Sequence, residues 1–472
     1  MPRSVLNALL PPRWRIPTFF DPDWYVRAYP DMTAARGPAA LHWLRHGRKE
    51  GRLPCDLKAA RAETALWAGE TAAQGRLETL ARTAPGPDRL WARLALARAR
   101  AVEGDWDGAA AQLPAPQDLL AGPGLSGPLA LAAEIALRRG DPGGAAAPIA
   151  MLRQGFGTGP EWHLLRAAQA LQSGDHPVWG AMSGPVFTRR GVPPPQIADQ
   201  GRTMFDRLRA RSAPVGDGPL ISVILPVRNG AATIGTALAG LRAQSWLRLE
   251  ILVVENGSHD ETGTILRDLA AQDPRIRLID GAAEPGAYAA RNLALAQAKG
   301  DFITLQDADD WPHPDRIRLQ MTALGEGMAN LSFWVRMSEN LIPSALRPDV
   351  AMLHPNLSSL LMRREAVERA GFWDRVRAAG DSEYIARLRR TFGARAVSHA
   401  LPGLPLAFGR LSEGSLTRSP RTGLFGPGAA ARGAYLAAAT RWHDSTPSPR
   451  LTQYPGARPF PAPPALLPEP RE

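Results

Sequence analysis

The chain has 472 residues, 44% hydrophobic and 21% charged, with 45 glycines, 45 prolines and a single cysteine, Cys55. That length holds about three domain-sized cores, and one cysteine excludes an internal disulfide framework and any thiolate-rich metal cluster. The net charge of +11 rests almost wholly on arginine, since only Lys49, Lys58 and Lys299 are lysines, and it is spread along the chain rather than gathered into a stripe or tail. We therefore expect no nucleic-acid partner. No apolar run reaches the roughly 18 residues that a membrane span needs, and the N-terminus lacks a signal-like apolar core, so the expectation is a cytoplasmic protein, with peripheral contact to the inner membrane left open.

Four segments follow from composition: 1–58, 59–212, 213–418 and 419–472. In the first, Asp21-Pro22 has the form of an N-cap followed by proline at the first helical position, and Trp24, Tyr25 and Tyr29 then fall at helical spacing. A pair of small helices packed through aromatics is one reading of these residues; with Leu41-His42-Trp43-Leu44 and Glu50-Gly51-Arg52 the segment also resembles one that recurs in bacterial polysaccharide-associated glycosyltransferases. His42 and His46 lie four apart, but without acidic or thiol partners that spacing alone is no metal site.

The second segment is rich in Ala, Leu and Arg and repeats itself faintly. Gly104-Asp105, Gly140-Asp141 and Gly174-Asp175 are spaced 36 and 34 residues apart, each between Ala/Leu-rich runs. Gly ends one helix and Asp caps the next, a helix–turn–helix period that resembles tetratricopeptide-type repeats and implies an all-α docking surface for a protein partner. Pro193-Pro194-Pro195 and 214–219 read as linker.

From Leu220 the texture changes. Strands are expected at Ile221–Leu225, Leu249–Val254, Arg275–Asp280 and Asp301–Gln306, and helices at Ala231–Gln244, Thr262–Ala271 and Ala287–Ala298. This alternation predicts a mainly parallel sheet with helices on both faces, whose ligands gather at the carboxyl ends of the strands. Three polar loops fall there: Pro226-Val227-Arg228-Asn229-Gly230, Glu255-Asn256-Gly257-Ser258-His259-Asp260 and Asp307-Ala308-Asp309-Asp310. Singly, Ser258 or Asp260 could be no more than helix caps. The three carboxylates of the last loop repel one another, and a hard divalent cation, Mn2+ or Mg2+, relieves that repulsion.

Together Ile221–Asn229, Val253–Ser258, Gly286 with Ala290-Arg291-Asn292, and Phe302–Trp311 resemble the nucleotide-binding half of family 2 glycosyltransferases. The resemblance implies an α/β GT-A domain, a Rossmann-like mixed sheet that binds nucleoside diphospho-sugars, preceded by the helical region. It implies Asp309 as metal ligand with Asp307 at the metal shell or donor ribose. Donor contacts are implied from Pro226, Val227, Asn229, Glu255, Asn256, Arg291, Ala308 and Trp311. It further implies an inverting transfer of sugar from a nucleotide-sugar donor to a glycan, lipid-linked or protein acceptor, in bacterial surface polysaccharide or glycan synthesis.

The chain departs from the family pattern at three points. Glu255-Asn256 stands where two aspartates are common, Arg228 where an aromatic often sits, and Gly380 where a glutamate usually precedes the catalytic aspartate. Aligning on Arg387 places Asp381 at the base position, with Glu383 as the competing candidate. These departures keep open a second reading, a non-catalytic nucleotide-sugar-binding scaffold. A sugar nucleotidyltransferase is disfavoured because no Gly-rich, Lys-containing loop follows Leu225. Trp311, Trp334 and Trp373 are each either core or sugar-stacking faces. Ser412 to Thr417, or Arg410, would approach the diphosphate. A helix around Ala429–Arg441 and an extended or disordered Pro-rich tail from Pro455 complete the expectation.

Overall fold

The computed structural model describes residues 16–17, 19–31, 38–47, 52–121, 125–174, 176–347, 351–411, 421–454 and 456–468. The chain divides into two compact units, one of Met1–Arg189 with Arg336–His354, the other of Arg190–Val335 with Pro355–Glu472.

The first unit is largely helical. Asp21 caps helix Pro22–Ala28 by accepting from the Trp24 amide at 2.9 Å. Phe20, Tyr25 and Trp43 join Leu77, Trp91 and Leu96 in one core, so the aromatic segment and the helices after it bury a common face. The Gly-Asp turns are built as their chemistry requires. Gly104 ends helix Gly86–Glu103 at φ 86°, where a side chain would be strained, and Asp105 accepts from the Gly108 amide at 2.8 Å. Gly140 adopts φ 73°, and Asp141 accepts from the Gly144 amide at 2.7 Å. Asp175 lies outside the described residues. Segment 336–354 joins this unit, and fully buried Glu134 accepts from the Ala345 amide at 2.6 Å.

The second unit is built on a seven-stranded sheet of β1 (Ile221–Val227), β2 (Leu249–Glu255), β3 (Ile276–Asp280), β4 (Phe302–Leu305), β5 (Ala329–Leu331), β6 (Leu361–Arg363) and β7 (Val397–His399), in the order β7-β5-β6-β4-β1-β2-β3. Strands β3, β2, β1 and β4 are mutually parallel, β6 is antiparallel to both its neighbours, and β7 is parallel to β5. The sheet is therefore mixed, with its parallel half as the alternation implied. Both faces are covered: Val223, Leu225, Ile251 and Val253 point into one core, Ile224, Leu252 and Val254 into the other.

Helices α1 (Ile234–Arg242), α2 (Thr262–Gln272) and α3 (Ala287–Leu295) follow the first three strands. Strand β1 runs two residues beyond the expected end and includes Pro226. Its pairing with β4 stops at Ile224–Leu305, so beyond that point β1 has a partner on one side only, and a residue without an amide hydrogen is tolerated.

Downstream, α4 (Arg316–Leu324), α5 (Arg364–Ala370), α6 (Gly380–Phe392) and α7 (Pro427–Ser445) complete the unit. The Pro-rich tail corrects the expectation of an extended or disordered end. Phe460 and Leu466 are buried in the same core as α6 and α7, and the Arg377 amide donates to the Leu466 carbonyl at 2.7 Å. Burial of Phe460 and Leu466, joined by the ion pair of Arg458 with Asp374, docks a segment whose composition alone reads as linker.

Candidate active site

The loops after β1 and β2 are laced together. Asn229 takes the left-handed conformation (φ 51°), its amide donates to Ser258 Oγ at 2.9 Å, and its side-chain oxygen accepts from the His259 amide at 2.9 Å. Asp260 accepts from the Thr262 amide and hydroxyl and from the Ala231 amide, and these bonds hold its carboxyl below the usual range. Glu255 accepts from the Ser258 amide at 2.7 Å. Arg228 is exposed, Val227 is buried and Pro226 is half-buried.

Asn256, expected to read the base, is 4% exposed, and its amide donates to the Gly286 carbonyl at 3.2 Å. That group ties the start of α3 to the end of β2.

The acidic loop after β4 is braced from below. Gln306 donates to the carbonyls of Asp307 and Asp310 at 3.0 and 3.2 Å, and Asp310 accepts from the Arg410 amide at 3.0 Å. Arg410 is buried, donates to the Asp309 carbonyl at 3.1 Å and to Asp206, and lies over the Phe205 ring. It supports the loop rather than offering its guanidinium to a diphosphate. Ser412 to Thr417 lie outside the described residues. Asp307 is one-third exposed on its side chain (33%), and Ala308 and Asp309 are half-buried. Trp311, expected at the donor, is 2% exposed and stacked on Phe408 at 5.6 Å, which corrects that placement to the core. Trp373 is likewise buried against Tyr384, while Trp334 is half-buried.

Arg291 on α3 joins the acidic loop to the far end of the domain. It is 4% exposed on its side chain; Nη2 donates to Asp307 Oδ1 at 2.8 Å and Nη1 to Asp381 Oδ1 at 2.5 Å. One guanidinium thus spans two carboxylates 74 positions apart in sequence. Burial pulls the Arg291 pKa down, but the two acids outweigh it and hold it above the ordinary value. Asp381 sits in the first turn of α6 with its side chain 15% exposed. Burial, aided by the charge of Asp307, lifts its pKa above the usual carboxylate range against the pull of Arg291 and Tyr288.

Two residues two apart at a helix start face different ways, and that separates the rival bases. Glu383 is fully buried, pairs with Arg387 through both oxygens at 2.9 and 2.8 Å, and contacts His443 Nε2 of α7 at 2.9 Å. Its role is to fasten α6 to α7, so the competing candidate for the base, also expected near the substrate from its place in the motif, takes a structural role instead.

Asn292, one of the motif residues given no role from sequence, exchanges two hydrogen bonds with the Trp373 backbone at 2.8 and 2.9 Å and so fixes α3 against the segment leading to α6. Tyr288, missed altogether, donates to Asp381 Oδ2 at 3.1 Å. A Tyr one helical turn before Arg291 was the only available signal. Among the described residues, no three His, Cys, Asp or Glu side chains converge as a preformed metal cage, and no helix is long and apolar enough to cross a membrane.

Residues 222–367 match the family model described as glycosyl transferase family 2. An uncharacterized glycosyltransferase of Haemophilus influenzae is 33% identical over 103 residues, 22% of this chain and 41% of that protein. Glycosyltransferase GlyG of Streptococcus pneumoniae is 34% identical over 91 residues, 19% of this chain and 30% of the relative. Each match spans well under two thirds of the relative's length. A solved mannosyltransferase of Pyrobaculum calidifontis, in complex with GDP-Man and Mn2+, aligns over 49% of this chain and 74% of its own at 22% identity, with a TM-score of 0.36.

Proposed function

We propose that this chain, whose residues 222–367 match the family model described as glycosyl transferase family 2, transfers a sugar from a nucleotide-sugar donor to an acceptor hydroxyl, with inversion, in bacterial surface polysaccharide or glycan assembly. One observation carries the reading: Arg291 holds Asp307 of the acidic loop and Asp381 of α6 within a single guanidinium. A donor side and a proton acceptor are therefore within one sugar's reach of each other.

Asp381 is the base. Its carboxylate takes the proton of the acceptor hydroxyl as that oxygen bonds to the anomeric carbon, while the bond from that carbon to the diphosphate oxygen breaks and the nucleoside diphosphate leaves with the electron pair. Partial burial keeps Asp381 more basic than a solvated aspartate, which suits it to this task. Arg291 keeps Asp381 and Asp307 from repelling each other and orients both. The loops at Pro226–Asn229 and Glu255–Ser258 form the donor's base and ribose cradle, with Asn256 acting through Gly286.

The donor set of the acidic loop fits a hard cation. Asp307 and Asp309 lie two positions apart on a half-buried loop, Arg291 engages only Oδ1 of Asp307, and these two carboxylates would hold the ion while leaving room for diphosphate and water. Mn2+ or Mg2+ held there would neutralise charge on the departing diphosphate. The helical first unit, with its stacked turns, is suited to docking a protein partner or acceptor.

Incubating the full chain with a panel of nucleoside diphosphate sugars and Mn2+ tests the reading. Metal-dependent release of nucleoside diphosphate from one donor class is expected. Binding of nucleoside diphosphate with no turnover of any donor would instead mark the domain as a scaffold.

A further inference from the structure

We infer that Tyr288 is a positioning residue for the proposed base: its ring occupies the space beside Gly380, and its hydroxyl orients the Asp381 carboxylate. This deepens the functional reading above and rests on it. A Cβ built on Gly380 would lie 2.9 Å from Cζ and 3.0 Å from both Cε atoms of Tyr288. Any side chain at 380 therefore meets an aromatic ring that must shift to admit it. A glutamate at this point would have to displace that ring.

The hydroxyl then does what the ring makes room for. The Asp381 amide donates to Tyr288 Oη at 3.2 Å, which occupies an acceptor position on that oxygen, and the phenol proton is donated to Asp381 Oδ2 at 3.1 Å. Arg291 takes Oδ1 of the same carboxylate. Both oxygens are thus anchored by α3, and the side chain of the base is fixed in one orientation. Tyr288 is 7% exposed, and burial together with the Asp381 charge raises its pKa, so it stays a donor. The entry to α6 is strained to match: Ala379, immediately before Gly380, sits at φ 68°, a conformation a side chain tolerates only when its surroundings enforce it. The groups facing Asp381 are Tyr288 and Arg291 from α3 and Asp307 from the acidic loop. Two of these three are cation or donor, so the site carries a hydroxyl where a second carboxylate would add repulsion.

The test compares Tyr288→Phe with the wild type, with Asp381→Asn setting the floor. The Phe variant keeps the ring over Gly380 and deletes only the hydroxyl. Expected is a fall in transfer kcat of roughly tenfold, as for a slightly misplaced reacting group, with donor KM and nucleoside diphosphate affinity unchanged. The acidic limb of kcat/KM also moves upward, because a hydrogen bond that favours the ionised carboxylate is lost. Gly380→Ala, which pushes the ring aside with the hydroxyl retained, gives the same split between kcat and KM. An active wild type matched in kcat by Tyr288→Phe overturns this proposal and leaves the functional reading standing. A fall in kcat, affinity and thermal stability together would assign Tyr288 a purely structural role and overturn it too. A wild type that transfers sugar from no donor removes the functional reading and this proposal with it.

Discussion

Replacing Arg291 by alanine separates the two halves of the proposed site and gives a measurable energy. The arm to Asp381 joins side chains that are 4% and 15% exposed, so its loss leaves a largely buried carboxylate without its cation. Breaking such a pair from one side costs about 3–5 kcal/mol. The arm to Asp307 is worth less, about 0.5 kcal/mol, because that carboxylate is 33% exposed and screened by water. Asp381 can recover part of the cost by taking up a proton, since its pKa already lies above the usual range and rises further without Arg291. A net loss of about 3 kcal/mol at neutral pH follows, shrinking as pH falls and the carboxyl is neutralised. Native-state hydrogen exchange in α3 and α6 reads that opening energy locally. A deficit under about 1 kcal/mol, or one that grows as the medium is acidified, would refute the bridging role.

Three further outcomes follow from the same contacts. Glu383→Gln breaks the buried pairing with Arg387 and His443, and should destabilise α6 by about 2–4 kcal/mol while the folded fraction keeps its kcat; lost turnover at full stability would make Glu383 the base. Leu466→Ala opens a void under the tail and should cost about 2–4 kcal/mol in denaturant unfolding, whereas a neutral result would show that the tail does not dock. The acidic limb of kcat/KM should lie above the range of an ordinary aspartate, near pH 4. The reason is that Asp381 must be ionised to accept a proton and loses that form as pH falls through its raised pKa; a limb at or below that range, with Asp381→Asn inactive, would contradict the burial argument.

Much of the parallel half of the sheet was legible because Ile221–Leu225 and Leu249–Val254 are short apolar runs bounded by polar loops, and period and length suffice to separate them from the helices between. The acidic loop stood out because three carboxylates in four residues repel one another; in the structure Asp310 turns inward to accept from the Arg410 amide and Asp307 pairs with Arg291, neither of which the spacing foretells. What could not be read are contacts across long sequence distances. Nothing in the order of residues says that Tyr288 meets Asp381, 93 positions on, or that Asn256 turns inward to Gly286. Gly380 looked like a missing glutamate, and the ring beside it shows what a side chain there would have to displace. Trp311 and Glu383 carry chemistry by type, but burial assigns both to the scaffold. Composition misjudged the tail, where Phe460 and Leu466 outweigh the prolines around them.

The central claim is that the acidic loop and Asp381 serve one reaction in separate roles. Calorimetric titration of nucleoside diphosphate with and without Mn2+, paired with a transfer assay on wild type, Asp309→Asn and Asp381→Asn, tests it most directly. The account predicts that metal-dependent affinity is lost in Asp309→Asn and kept in Asp381→Asn, while transfer falls at least about a hundredfold in both. An Asp381→Asn protein that transfers sugar at the wild-type rate would contradict it.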